Sequence, residues 1–158
     1  MALQYQVTPL TAEQAKAASG WTYGPGCGLY DFTAADLPPM RAPRYRYHAV
    51  CDAEALAGIA CFGEAAQVQG GPYRRPALDV GCSMAPARVG AGQGRSFVAA
   101  VVDFAIATYA PILLRLSVAE GNHRAIRVFE ATGFITIGRF AGIARGGIHR
   151  FLLMTRVG

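Results

Sequence analysis

The sequence predicts one mixed α/β domain, a single sheet with helices packed on it. Segments of strand character alternate with strongly patterned helices, and no internal repeat, linker or low-complexity tract separates them. Composition agrees. Of 158 residues, 53% are hydrophobic and 16% charged, too apolar a mixture for a disordered chain. A chain of this length buries roughly two thirds of its unfolded surface in one core. No apolar run approaches the roughly 18 residues of a membrane-spanning helix. The opening MALQYQVTPL lacks a basic segment ahead of a long apolar core, so no export signal and a cytoplasmic location are expected.

The elements follow in order. TAEQAKAASG begins with Thr11 and carries Gln14 three residues on, a capping box, and it ends at Gly20, where a left-handed residue would close a helix. Residues 21–40, rich in glycine, proline and aromatics, receive no element. In YRYHAVC, Tyr45, Tyr47, Ala49 and Cys51 alternate with Arg46, His48 and Val50, the period of a strand. DAEA then turns the chain into LAGIACFG to make a β-hairpin. ALDVGCSM is a third short strand, followed by Pro86 and the glycine-rich RVGAGQG. In RSFVAAVVDFAIATYA, Phe97, Val101, Phe104, Ala105 and Ile106 recur at helical spacing, with Asp103 and Thr108 on a polar side. PILLRLSVA reads as a strand buried on both faces. NHRAIRVFEATGF is a second amphipathic helix, with Asn122 as N-cap and Gly133 just past its end. FITIGRF and GIHRFLLMTRV are strands around a loop, AGIARGG. The order is β-α-β-β-β-α-β-α-β-β.

Cys27, Cys51, Cys61 and Cys82 form no CxxC pair and have no histidine at ligand spacing, which predicts reduced thiols and neither a zinc site nor a disulfide framework. The formal net charge of +5 favours an anionic partner, and nucleic acid, phosphate-bearing cofactors and acidic substrates all qualify. RAPRYRY, with Arg74 and Arg75 further on, interleaves basic and aromatic residues as a nucleic-acid surface does. As a strand, however, it sends Tyr45 and Tyr47 into the core and leaves Arg44 and Arg46 in water, so nucleic acid is not the expected partner. No G-x-S-x-G is present, which speaks against hydrolase chemistry.

A glycine-rich turn between strand and helix exposes backbone N–H groups at a helix N-terminus, where the dipole also favours an anion. A Rossmann fingerprint on Gly90 and Gly92 wants glycine where Arg95 stands. A P-loop ending in Gly94-Arg95-Ser96 wants glycine in place of Val89 and lysine in place of Arg95. The run GCSMAPARVGAGQGRSFVAAVVDFA instead resembles motif A of the GCN5-related N-acetyltransferase superfamily, in which a strand leads through an apolar-x-Pro turn to a Q/R-x-x-G-x-G/A loop. Met84, Ala85 and Pro86 match the turn, and Val89, Gly90, Ala91, Gly92, Gln93 and Gly94 match the loop. About 30 residues on, LSVAEGNHRAIRVFEATGF resembles motif B at Asn122, Ala125, Gly133 and Phe134.

The resemblance covers roughly residues 45 to 156 and implies an α/β (α+β) fold of one domain over the whole chain. Its central sheet would be single, mixed and mostly antiparallel, with helices on both faces and a splay between strands 4 and 5. It also implies acetyl transfer from acetyl-CoA to a primary amine of a small molecule or peptide, with no metal. The diphosphate would rest on residues 84–95, with Arg88 or Arg95 supplying the charge that Val89 lacks, and Asn122, Ala125 and Phe129 would flank the pantetheine. Phe129 stands where the family has a thiol-protonating tyrosine, so a non-catalytic acyl-CoA-binding module is the alternative. The Met84 N–H is expected to face the oxyanion. Asp79, at the head of its strand, and Glu64, after ACFG, are the candidate bases for the amine. The competing readings are an ion pair of Asp79 with Arg74, Arg75 or His149, a solvated turn for Glu64, and a packed or surface place for His149. Residues 21–47 and the 141–147 loop would shape the acceptor pocket, with Trp21, Tyr23 and Tyr30 lining it or packing in the core. The partners implied are acetyl-CoA and the amine, with neither nucleic acid nor membrane, and a homodimer is left open.

Overall fold

A computed structural model describes residues 4–53 and 55–158. One seven-stranded sheet runs in the order β1-β2-β3-β4-β5-β7-β6, built from β1 (Gln6–Pro9), β2 (His48–Asp52), β3 (Ala55–Phe62), β4 (Leu78–Met84), β5 (Leu113–Ala119), β6 (Ile135–Ala144) and β7 (Gly147–Val157). The helices are α1 (Ala12–Ala18), α2 (Leu37–Arg41), α3 (Gly94–Tyr109) and α4 (His123–Ala131). Every neighbouring pair is antiparallel except β4 and β5. That parallel pair touches only at Leu78 with Leu114 and at Asp79 with Arg115, and beyond Asp79 the two strands part. The sheet therefore carries the expected splay.

Helices cover both faces. Ala15 and Ala18 of α1 and Met40 of α2 bury Ile59 on one side. On the other, Phe97, Val98, Val101, Val102 and Ala105 of α3 pack over Val50, Ala60, Phe62, Leu116 and Met154, and α4 adds Ala125, Val128 and Phe129. At Gly58 the sheet passes directly beneath α3: a Cβ there would stand 2.5 Å from the Phe97 ring and 2.5 Å from the Ser83 carbonyl oxygen. A bare backbone at this point lets the start of α3 settle close against β3 and β4.

Thr11 and Gln14 form both bonds of the capping box, and the Asn122 side chain accepts from the Ala125 N–H. Gly133 is left-handed after α4, at φ +97°. Three local readings are corrected. β2 begins at His48 rather than Tyr45, because Pro43–Tyr45 is a 3₁₀ turn closed by left-handed Arg46. The Tyr-Arg alternation serves stacking instead: Arg44 lies on Tyr45, and Arg46 lies over Tyr109. α1 ends at Ala18 with a right-handed Ser19, so Gly20 is not the left-handed closing residue. The expected 141–147 loop is mostly strand: β6 and β7 run on to a turn at Arg145 and Gly146, both at positive φ. Small residues had hidden that strand. A Cβ at Gly142 would stand 2.6 Å from Val68, so the strand needs glycine where a side chain would be the usual signal. Residues 21–40, given no element, hold 3₁₀ turns at Gly28–Tyr30 and Ala34–Asp36 and the start of α2.

Candidate active site

The glycine loop joins β4 to α3 through a 3₁₀ turn, Pro86–Arg88, after which Gly90 and Gly92 adopt φ +82° and +76°. L-residues visit this region at a cost of roughly 1–2 kcal/mol. The loop delivers the chain to the N-terminus of α3, whose N-cap is Gln93. A side-chain cap would consume the free N–H groups there, and Gln93 makes none, because its Oε1 accepts from the Tyr5 hydroxyl at 2.8 Å. The first turn of α3 thus presents unspent donors at the positive end of a sixteen-residue helix. Gly94 also matters for packing: a Cβ there would stand 3.0 Å from Val128 of α4, so the start of α3 lies tight against α4.

Three arginines stand near the loop. Arg88 is engaged in a two-pronged ion pair with Asp52, at 2.6 and 2.8 Å, which ties the loop to the end of β2. The Arg88 hydrogen bond holds the Asp52 carboxyl below the usual carboxylate range. Arg95 lines a cavity of about 390 Å³ between α3 and α4 with Ser96, Asp103, Thr132 and Arg156. Arg124 of α4 also reaches the loop: its Nη1 would stand 3.5 Å from a Cβ placed on Gly90. Sequence reasoning missed Arg124. Its position two residues after an N-cap was the available signal, but only the packing of α4 on α3 brings it to the loop.

The splay forms the second half of the site. The Ala85 N–H donates to the Ala57 carbonyl on β3 at 2.8 Å. In an antiparallel ladder donors alternate sides, so the N–H groups of Met84 and Cys82 turn the other way, toward the gap that β5 has left. Burial pushes the Cys82 thiol up to about 12. Asp79 sits at the vertex of the V. It is 2% exposed and takes two bonds from Arg115, at 2.6 and 2.8 Å, and a third from Gln67 at 2.8 Å. Arg115 also donates to the Arg75 carbonyl at 2.7 Å. Asp79 thus pairs with an arginine none of the sequence alternatives named, and its carboxylate joins β4 to β5. Glu64 lies exposed in the 3₁₀ turn Gly63–Ala66, beyond Phe62, which pairs with Val80. It stands at the vertex end of β4, away from Met84 and the glycine loop. His149 pairs with Gly142 on the β6–β7 arm.

Across the open end of the V runs the segment from Trp21 to Phe32. The Phe32 N–H donates to the Trp21 carbonyl at 2.9 Å, and both rings pack on the α1–α2 core. The Tyr23 hydroxyl donates to the Met84 carbonyl at 2.6 Å, and Tyr30 ends the 3₁₀ turn Gly28–Tyr30. Ala125 and Phe129 lie on the buried face of α4, with Phe129 edge-on to Phe134 at 6.0 Å. Among the described residues no three His, Cys, Asp or Glu side chains cluster as a metal site would require, and no helix is long and apolar enough to cross a membrane.

A splayed parallel pair, a glycine loop at the end of its first strand and a helix N-terminus facing the gap define the fold of the GCN5-related N-acetyltransferases. Solved structures agree over nearly the whole chain. Spermidine N-acetyltransferase from Vibrio cholerae, in complex with CoA and spermine, superposes with a TM-score of 0.71 at 16% identity, over 98% of this chain and 95% of that one. A GNAT-family acetyltransferase from Bacillus anthracis gives 0.73 at 14% identity, over 99% and 96%. A chimera of the Vibrio enzyme with hSSAT gives 0.72 at 17%, over 98% and 95%. No family model and no curated protein matches the sequence.

Proposed function

We propose that the protein is an N-acetyltransferase that moves the acetyl group of acetyl-CoA to a primary amine in a ternary complex. The observation that carries this reading is the uncapped N-terminus of α3 behind left-handed Gly90 and Gly92, opening beside the gap between β4 and β5. Residues Met84, Ala85 and Val89 to Arg95 form the cradle for the diphosphate, whose negative charge the α3 donors and Arg124 offset. Asn122, Ala125 and Phe129 flank the pantetheine. The N–H of Met84, with that of Cys82 beside it, polarises the thioester carbonyl and carries the developing oxyanion, as preorganised backbone donors do. Asp79 is spent on Arg115, so Glu64 is the carboxylate left to take the amine proton, through solvent at the vertex side of β4. Four free thiols suit a reducing compartment, and we place the reaction in the cytoplasm.

The structural neighbours include an enzyme whose complex holds spermine. This chain carries +5, and Arg41 and Arg46 line a cavity of about 360 Å³ with Met40, Tyr47 and His48. Like charges repel a polycation, so we assign an acceptor whose groups around the amine are neutral or anionic, such as a peptide N-terminus or an amino acid derivative. A second reading, an acyl-CoA-binding module without turnover, is favoured by the missing hydroxyl at Phe129.

The test is calorimetric titration with acetyl-CoA of wild type, Gly92→Asn and Gly92→Asp, followed by turnover against spermine and N-terminal peptides. A Cβ at Gly92 meets nothing within 4 Å, and Asn and Asp both tolerate the left-handed region, so the pair differs by charge alone. Binding retained within about tenfold by Gly92→Asn and abolished by Gly92→Asp places the diphosphate at the loop. Equal loss in both variants refutes it, and binding without acetylated product favours the module.

A further inference from the structure

β5 forms the second edge of the splay. Its Leu114, Leu116 and Val118 belong to the core packed under α3 and α4, so the alternating Arg115 and Ser117 lie on the opposite face of the sheet. Arg115 is the last residue paired with β4, which makes Ser117 the first side chain on that face past the vertex, half-buried beside the gap. Two positions beyond Asp79 on β4 stands Gly81, which brings no side chain against it. A second hydroxyl orients the first. The Tyr73 and Ser117 oxygens are 2.6 Å apart, and the Tyr73 oxygen also accepts from the Val68 N–H at 2.9 Å. The Tyr73 ring is held in turn by Arg115, whose guanidinium lies over it at 5.0 Å while bonded to Asp79. Two hydroxyl protons share one bond between them, so one proton is left over whichever oxygen donates, and neither hydroxyl has another acceptor among the described residues. A phenol donates more readily than an alcohol, and the Tyr73 oxygen is already accepting from Val68, so Tyr73 donates and the spare proton is that of Ser117. A chain of bonds running one way polarises its last donor.

We propose that the Ser117 hydroxyl, oriented by Tyr73, donates to a carbonyl or carboxylate oxygen next to the acceptor amine and so selects α-amino carbonyl compounds over plain alkylamines and polyamines. The role rests on the acetyl-transfer reading above. In that reading α3 and α4 hold the cofactor on one face of the sheet, so the amine reaches the thioester carbon from the other, the face on which Ser117 stands. A spare O–H needs an oxygen to receive it. In an α-amino carbonyl compound such an oxygen lies within reach of a donor placed beside the nitrogen, whereas an alkylamine or a polyamine offers none. An acceptor that leaves the Ser117 proton unpaired in a water-poor gap binds less well, because a buried donor without a partner is costly. Tyr73 acts through Ser117 as a positioning residue, and Arg115 fixes Tyr73 from the same face.

The experiment compares wild type, Ser117→Ala, Ser117→Thr and Tyr73→Phe on two amines, glycinamide and propylamine, each variant being scored against wild type on the same amine. One readout is steady-state acetyl transfer. The other is the Kd of each amine for protein saturated with coenzyme A, followed by NMR titration, which needs no transfer. Ser117→Ala should lower kcat/KM for glycinamide about tenfold and weaken its binding alike, with propylamine within about twofold. Ser117→Thr, which keeps the hydroxyl, should stay within about threefold on both amines. Tyr73→Phe keeps the ring over Arg115 and should lose about threefold or more on glycinamide alone. Equal losses on both amines in Ser117→Ala, losses in Ser117→Thr as large as in Ser117→Ala, or wild-type glycinamide constants in Ser117→Ala each overturn the selection and leave acetyl transfer standing. Wild type that binds glycinamide in a Ser117-dependent way and acetylates neither amine defeats the acetyl-transfer reading and leaves the contact standing. Neither binding nor transfer in wild type defeats both.

Discussion

Replacing Asp79 with alanine separates a structural lock from a catalytic base. The Asp79 and Arg115 side chains are 3% and 4% exposed, and their two bonds are joined by a third from Gln67. Removing one partner strands a buried guanidinium, at a cost of about 3–5 kcal/mol. In a chain of this size each kcal/mol lowers Tm by roughly 2–4 °C, so the midpoint should fall on the order of 6–20 °C. The cost comes from the orphaned charge, and removing both charges should recover most of it. Asp79→Leu/Arg115→Met is accordingly expected within about 2 kcal/mol of wild type, although Asp79→Ala alone is not. Thermal and urea unfolding of the three proteins, with transfer rates measured well below each midpoint, is the assay. An Asp79→Ala variant that keeps its Tm within about 2 °C and loses 100-fold in kcat would refute the lock and return Asp79 to the role of base.

Three other outcomes are expected. Gly58→Ala would press its methyl into the Phe97 ring and the Ser83 carbonyl, costing about 1–3 kcal/mol in urea unfolding and weakening acetyl-CoA binding as α3 lifts from the sheet; wild-type values on both counts would remove Gly58 from the account of how the loop is positioned. Burial pushes Cys61 and Cys82 up to about 12, so at pH 8 mass spectrometry should find both alkylated more than about 100-fold slower than an exposed model thiol. The Asp52 carboxyl titrates lower in the folded chain than in the unfolded one, so its contribution is complete above about pH 4 and is lost as pH falls through the folded value. Arg88→Met should flatten that acid limb of the urea midpoint, and an unchanged limb would mean that the ion pair does not set it.

Local features of the chain were legible where one residue and its near neighbours determine the conformation. The capping box of Thr11 and Gln14, the Asn122 cap, left-handed Gly133 and the buried stripe of α3 all depend on contacts within a few residues. The alternation from Tyr45 to Cys51 exceeds the strand itself because the same pattern arises from a 3₁₀ turn whose arginines stack on rings. The 141–147 stretch carries no strand signal because its small residues show no alternation, and only Val68 packed against Gly142 reveals why that position must be small.

By itself the sequence determined the order of the elements other than α2, and the glycine loop between β4 and α3, since turn chemistry and apolar period are local properties. Tertiary structure decided what each charged group is for. Asp79 meets an arginine 36 residues away, Arg88 turns back to Asp52 at the same separation, and Arg124 reaches Gly90 only because α4 packs on α3. A charge has no periodicity and acts on whatever the fold brings within a few ångströms, so its partner is decided by the packing of strands and helices far apart in the chain.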